Sequence, residues 1–236
     1  MNVSHAASSS LLPAAELTSW PALVISSSLP RFDSCAAQVR RGGFSPSWVP
    51  AIFVPSTYNE CTRGGVKQGL EGHRLAFRNA LQIIASSGQS MALFEDDAYF
   101  VGHVGDVRKS INDCAQSRCH VLYLGYKLEP KDGRLGGNHA AWISPAGASV
   151  LLATITADCT GGGIDGRMAD ATAKGRLRVM RAPEGGKRPL GSYAYNGQFV
   201  QNRQTLVSAL HHTSRGDFPA PLCDSNGVCT QPVPDK

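Results

Sequence analysis

The chain has 236 residues, of which 42% are hydrophobic and 17% charged, and its formal net charge is +5. This length supports one sizeable core, and the mild, scattered positive excess lacks the basic stripe that favours nucleic acid. It suits an anionic small molecule such as a nucleotide diphosphate. No stretch approaches the roughly 18 apolar residues of a membrane span, and the first twenty residues lack a signal-peptide pattern. We therefore expect a cytoplasmic protein without a transmembrane segment and without a nucleic-acid partner.

Seven cysteines leave at least one thiol unpaired within the chain. The first five are dispersed without a zinc-type spacing: Cys35, Cys61, Cys114, Cys119 and Cys159. Cys223 and Cys229 lie in a Pro-rich tail and could form a small loop disulfide if oxidised. We expect reduced thiols, as is usual in cytosolic proteins.

The first elements in chain order follow a loose tail. Residues 1–20 are rich in Ser and Ala and show no periodicity, which indicates a loose N-terminal tail. A strand is predicted over 22–26, and a helix over 31–41 that Gly42-Gly43 ends. Residues 49–54 are a candidate second strand, although Pro50 weakens that prediction.

The longest helix signal covers residues 66–85. Its apolar stripe has the three-and-four spacing of one helix face and consists of Val66, Leu70, His73, Phe77, Ala80, Leu81 and Ile84. A histidine on such a stripe is usually a hydrogen-bonded core residue, so a catalytic role for His73 is the less favoured alternative.

An apolar strand then runs directly into three acids. Met91-Ala92-Leu93-Phe94 precedes Glu95, Asp96 and Asp97. Ligands of open α/β sheets bind beyond the carboxyl ends of the strands. Three adjacent carboxylates repel one another unless a positive group lies among them, and a hard divalent cation prefers such oxygens. The pattern favours a functional site; the alternative is a solvated acidic turn.

The remaining elements complete an α/β domain. Residues 104–114 are predicted to be helical and 121–126 to form a strand, followed by a Gly-rich loop over 129–138. After a short apolar strand at 139–143, Ser144-Pro145 is typical of a helix start. The strand–helix alternation predicts the α/β class, with a Rossmann-type sheet flanked by helices in a single domain.

Three further features end the chain. The glycine-rich segment 161–166 is too flexible for the interior of an element, and 177–180 is a late strand. A final helix is predicted over 200–212. We place the folded domain at 21–212 and a Pro-rich C-terminal tail at 213–236.

The ordered set of motifs resembles glycosyltransferase family 25, which includes lipooligosaccharide and procollagen galactosyltransferases. The matching pieces are 71–76 around His73, 92–97 ending in Glu-Asp-Asp, 122–125 (Tyr-Leu-Gly), 139–152 and Ile164-Asp165. Two positions depart from the family pattern: Gly72 replaces the usual Ser, and Gly163-Ile164-Asp165 replaces Pro-Val-Asp.

The resemblance implies a GT-A fold that binds a nucleotide sugar through an Asp-x-Asp-type motif and Mn²⁺ or Mg²⁺. Asp97 would coordinate the metal that bridges the diphosphate. Glu95 would hold the ribose or a metal-bound water. The implied reaction moves a hexose, galactose being favoured, from a UDP-sugar to a glycan or protein acceptor, and we expect inversion.

Other residues are assigned from their position and chemistry. Arg31 follows the first strand, and its fork of donors suits uracil or phosphate oxygens; a solvated arginine is the alternative. An inverting transfer needs a general base. We predict Asp165 in that role, with Asp96 in reserve; a loop Asx-turn at Asp165 is the alternative. His139 is assigned as a substrate contact, with a packing role equally open.

Two other functions stay open at this level. A metal-dependent phosphohydrolase could use the same acids, but two-metal chemistry needs a richer Asp/His set than the sequence offers. The second open function is a non-catalytic nucleotide- or glycan-binding module with the same fold. Metal-dependent UDP release separates the transferase from the binding module.

Overall fold

The computed structural model describes residues 19–53, 68–128, 135–156, 163–186, 196–201, 222–223 and 229–230. The strands are β1 Trp20–Ser26, β2 Phe44–Pro50, β3 Met91–Glu95, β4 Ala98–Phe100, β5 Val121–Leu128, β6 Leu135–Ile143, β7 Val179–Arg181, β8 Asn196–Gly197, β9 Phe199–Gln201, β10 Leu222–Cys223 and β11 Cys229–Thr230. The helices are α1 Leu29–Arg41, α2 Gln68–Ser87, α3 Val104–Gln116, α4 Pro145–Thr156 and α5 Ile164–Ala173.

The central sheet of the described residues has seven strands, in the order β2-β1-β3-β6-β5-β7, with β8 paired to β5. β1 runs parallel to β2 and β3, whereas β6 is antiparallel to both β3 and β5. Ile25 is in register with Glu95, so the carboxyl ends of β1 and β3 lie side by side. Open α/β sheets bind ligands at this edge.

Helices cover both faces of the sheet. Side chains alternate along each strand, so successive apolar residues point to opposite faces and both faces are apolar. Leu23 and Leu93 pack into one hydrophobic cluster together with residues of α2, α4 and α5. Val24 and Phe94 pack into the other, with residues of α1 and α3. This three-layer arrangement confirms the predicted α/β class.

The structure confirms one local prediction closely. Ser144 caps α4: its Oγ accepts a hydrogen bond from the backbone N–H of Gly147 at 3.1 Å. Pro145 is the first helical residue, where its missing N–H leaves no intrahelical bond unmade.

Three sequence-based assignments are wrong in detail. The second strand is Phe44–Pro50 rather than 49–54; it is an edge strand, where proline is tolerated. The segment 135–138 belongs to β6 rather than to a loop. Residues 199–201 form β9, where the final helix was expected to begin; residues 202–212 lie outside the described residues.

Helix α5 was not predicted at all. Its glycines, Gly163 as N-cap and Gly166 inside the first turn, suggested a loop. Ile164, Met168 and Ala171 recur at helical spacing and are buried in the cluster beside α4. Burial of this short stripe outweighs the low helix propensity of glycine.

The expectation of reduced thiols fails for one pair. Cys114, near the end of α3, forms a disulfide with Cys119, which precedes β5. Cys35 is a buried thiol, and Cys223 lies opposite Cys229 in the β10–β11 hairpin. Residues 1–18 and most of 213–236 lie outside the described residues, so the two tail boundaries stay predictions.

Candidate functional site

The three carboxylates at the end of β3 each contact a different element. Alternation along the strand directs Leu93 to the α2 side and Phe94 to the α1 side of the sheet. Glu95 therefore meets α2, and Asp96 meets α1 one residue later. Asp97 meets β9. The acids are thus brought together at the carboxyl end of β3, each with a side-chain partner, rather than left in a solvated turn.

Glu95 pairs with His73 of α2. The imidazole Nε2 lies 3.0 Å from Oε1 of Glu95, and the two side chains are 29% and 25% exposed. Burial alone would lower the pKa of His73, but the charge and hydrogen bond of Glu95 outweigh it and raise that pKa. Burial opposes ionisation of Glu95, yet His73 holds the pKa of this carboxyl below its usual range. The two form an ion pair.

Asp96 pairs with Arg31 of α1. Nε of Arg31 donates to Oδ2 at 2.6 Å, and a second guanidinium N–H donates to Oδ1. Ser26 at the end of β1 donates its hydroxyl to Oδ2 at 2.8 Å. Burial opposes the charge of Arg31, but the hydrogen bond and charge of Asp96 keep its pKa raised. This bidentate geometry is the strong form of a charged hydrogen bond, and it fixes the turn after β3.

Asp97 is buried, and it accepts a hydrogen bond from Nε2 of Gln201 in β9 to Oδ2 at 2.6 Å. Its Oδ1 has no hydrogen-bond donor among the described residues. Burial and the neighbouring charge of Glu95 raise the pKa of Asp97 well above its usual range, although Gln201 opposes this. A cation at Oδ1 would favour the ionised carboxylate and so oppose both causes.

Positive side chains already lie among the acids. From the sequence, a divalent cation was expected in that role, whereas Arg31 and His73 pair with two of the three carboxylates. Among the described residues, no group of three or more His, Cys, Asp or Glu side chains lies close enough to hold a metal by itself. Among the side chains that the structure describes, Asp97 alone keeps a buried oxygen without a hydrogen-bond partner.

The structure brings Asp165 near this site but separates His139 from solvent. Asp165 is an exposed residue in the first turn of α5, and its charge contributes to the raised pKa of His73. His139 is 1% exposed within β6, and its Nε2 lies 3.1 Å from the carbonyl oxygen of Phe199. Its predicted contact with substrate stays a prediction, and its burial points to another role.

Two residues that touch the acids were not assigned to the site from the sequence. His73 was expected to be a hydrogen-bonded residue on the apolar stripe of α2, and the structure identifies Glu95 as its partner. Gln201 is 104 positions from Asp97, and no local pattern marks it. Tertiary pairing of β9 with β4 brings it to the site.

Among the residues that the structure describes, no helix is both long and apolar enough to cross a membrane. No family model and no curated protein matches the sequence, so membership of family 25 is not supported.

Solved structures give distant likenesses. A glycosyltransferase involved in glycosylation of the major capsid of PBCV-1 is 9% identical, covering 68% of this chain and 80% of that one, with a TM-score of 0.41. A mutant of Drosophila β-1,4-galactosyltransferase 7 complexed with manganese, UDP-Gal and xylobiose is 11% identical. The match covers 83% of this chain and 76% of that one, with a TM-score of 0.43. A candidate glucose-1-phosphate thymidylyltransferase from Bacillus anthracis, complexed with sucrose, is 11% identical. The match covers 83% of this chain and 78% of that one, with a TM-score of 0.41. Likenesses this distant decide neither the activity nor the ligands of this chain.

Proposed function

We propose that this protein is a metal-dependent glycosyltransferase that moves a hexose from a UDP-sugar to a glycan or protein acceptor. One observation carries the proposal: Asp97 keeps a buried carboxylate oxygen without a hydrogen-bond donor among the described residues. It lies beside Glu95 at the carboxyl end of β3, next to the end of β1. This is the edge at which α/β sheets bind nucleotides.

The acids fit a metal that arrives with its nucleotide. Mg²⁺ is usually bound through one or two carboxylates plus substrate phosphates rather than by a complete protein cage. Asp97, with Glu95 beside it, supplies such a partial set, and Mn²⁺ or Mg²⁺ would be held there together with the donor diphosphate. The absence of a three-residue metal group among the described residues agrees with this mode.

The proposed chemistry requires stabilising a departing diphosphate. A bound metal supplies Lewis-acid stabilisation of the negative charge that develops on the leaving group. His73 lies at the same edge, and Glu95 raises the pKa of its imidazole, which favours a positive charge there. Arg31 supports the site by holding Asp96 in place, and its direct contact with the nucleotide stays a prediction.

An inverting transfer also needs a base for the acceptor hydroxyl. We assign Asp165 to this role, because it is exposed to an incoming acceptor and lies close enough to raise the pKa of His73. Asp96 remains the reserve candidate, but its oxygens already accept hydrogen bonds from Arg31 and Ser26. The acceptor class and the choice of galactose rest on the sequence resemblance.

A turnover assay tests the proposal. UDP release from UDP-galactose and UDP-glucose should require Mn²⁺ and rise when glycan acceptors are added. Asp165→Asn should lower turnover by about 10²–10⁴-fold, the usual effect of losing a positioned base. Asp170→Asn, an exposed residue of the same helix, should leave turnover unchanged.

Other outcomes identify the competing functions. Phosphate release from simple phosphomonoesters would replace the transferase with a phosphohydrolase. Tight Mn²⁺-UDP binding without UDP release from any sugar nucleotide would leave a non-catalytic binding module.

A further inference from the structure

His139 is buried in β6 and contacts the strand β9. It is 1% exposed, and its Nε2 lies 3.1 Å from the carbonyl oxygen of Phe199. A carbonyl only accepts, so Nε2 carries the proton in this contact. Burial lowers the pKa of His139, which favours the neutral ring, and a neutral ring with its proton on Nε2 can donate to this carbonyl.

Two glycines make room for this contact. A Cβ on Gly125 of β5 would come closer than 3.0 Å both to Nε2 of His139 and to the carbonyl oxygen of Phe199. Gly197 has a φ of 96°, and a Cβ there would collide with the backbone at Leu124. The chain before β9 therefore lies directly against β5 at a place where any larger residue would push the two strands apart.

Two residues further on, the same strand reaches the acids. β9 pairs with β4, with Phe199 opposite Phe100 and Gln201 opposite Ala98. Gln201 then donates its side-chain N–H to Oδ2 of Asp97 at 2.6 Å. A continuous path thus runs from the imidazole of His139, through the backbone of β9, to one oxygen of Asp97.

We propose that His139 is a positioning residue for ligand binding at Asp97. By fixing the Phe199 carbonyl, it sets the register of β9 and holds the Gln201 amide on Oδ2, which leaves Oδ1 for a divalent cation carrying a nucleoside diphosphate. The inference rests on the proposed function in taking Asp97 as the ligand-binding carboxylate. A core residue that merely fills space would affect folding but not the Gln201–Asp97 contact.

The experiment compares two substitutions of His139 with a control. His139→Gln keeps an N–H donor near the position of Nε2, whereas His139→Leu removes it. Ile143→Val shortens a fully buried residue of the same strand away from β9 and serves as the matched control. The first readout is the side-chain amide resonance of Gln201 by NMR, assigned by its loss in Gln201→Met. The second is the affinity for Mn²⁺ with UDP by calorimetry.

In His139→Leu we expect the Gln201 amide resonance to move to the position of a solvated glutamine. Affinity should fall by about 10- to 100-fold, the usual effect of losing an outer hydrogen bond of a ligating group. His139→Gln should restore most of both, and Ile143→Val should change neither. Combining His139→Leu with Gln201→Met should add little further loss, because both act through the same contact.

Two results would overturn the inference. One is an unmoved Gln201 resonance in folded His139→Leu. The other is an affinity of His139→Leu for Mn²⁺ with UDP that equals that of the parent, in an experiment in which the parent binds. Failure of the parent to bind Mn²⁺ with UDP would instead overturn the proposed function, and the NMR readout would still decide whether His139 positions Gln201.

Discussion

The imidazole Nε2 of His73 lies 3.0 Å from Oε1 of Glu95, which joins the longest helix to the strand that carries the acids. His73 has a raised pKa and Glu95 a lowered one, so each stabilises the charged form of the other. The pair links the protonation of the site to the stability of the fold.

Stability should therefore depend on pH in a defined window. The lowered pKa of Glu95 gives a contribution that is present above about pH 4.3 and lost as the pH falls through the folded-state pKa. The raised pKa of His73 gives one that is present below about pH 6.5 and lost as the pH rises through its folded-state pKa. Both contributions are complete between these two values, so stability should decline as the pH rises above about 6.5.

The decline should become smaller in His73→Gln, which keeps a hydrogen-bonding side chain but cannot become charged; the raised pKa of Asp97 contributes in the same direction and is left in place. Urea denaturation midpoints from pH 5.5 to 8.5 measure it. His103→Gln, at the exposed start of α3, is the control and should retain the decline of the parent. An unchanged decline in His73→Gln would place its cause elsewhere.

The Arg31–Asp96 pair predicts a large loss of stability. Their side chains are only 17% and 11% exposed, so removing one partner leaves a poorly hydrated charge. Arg31→Met should reduce the free energy of unfolding by about 3 kcal/mol. Arg40→Met, on the exposed face of the same helix, should stay within about 1 kcal/mol. Urea unfolding measures both, and equal effects would show that the pair does not hold the turn.

The fold also predicts opposite effects at two glycines. Gly125→Ala should destabilise by about 2 kcal/mol or more, because its Cβ would collide with His139 and the Phe199 carbonyl. At Gly166, which is inside α5, an added Cβ would meet no atom within 4 Å apart from its chain neighbours and the adjacent helix backbone. Gly166→Ala should stabilise by about 0.5–1 kcal/mol. Thermal unfolding of both variants measures this, and a destabilised Gly166→Ala would contradict the helix.

Periodicity in the sequence predicted the elements whose apolar pattern is long or continuous. The stripe of α2 and the run from Met91 to Phe94 are examples, and both lie where predicted. The position of Glu95, Asp96 and Asp97 at the strand end followed from the same run. The local pattern was enough to predict these two segments because burial of their apolar residues determines their secondary structure.

Periodicity in the sequence failed to predict the structure where contacts between distant residues determine it. The glycines of α5 indicate a loop until the cluster that buries Ile164 and Met168 is known. Gln201 reaches Asp97 only because β9 pairs with β4 and lies against β5. The sequence showed that the acids need positive charge, but it did not show that Arg31 and His73 supply much of it.

The central claim, that Asp97 holds a metal-bound nucleotide diphosphate, is tested most directly by isothermal titration calorimetry. UDP should bind the parent in the presence of Mn²⁺ and at least about tenfold more weakly without it. Asp97→Asn should lose Mn²⁺-dependent binding, while Asp113→Asn, on the exposed face of α3, should keep it. Mn²⁺-dependent UDP binding of Asp97→Asn equal to that of the parent would contradict the claim.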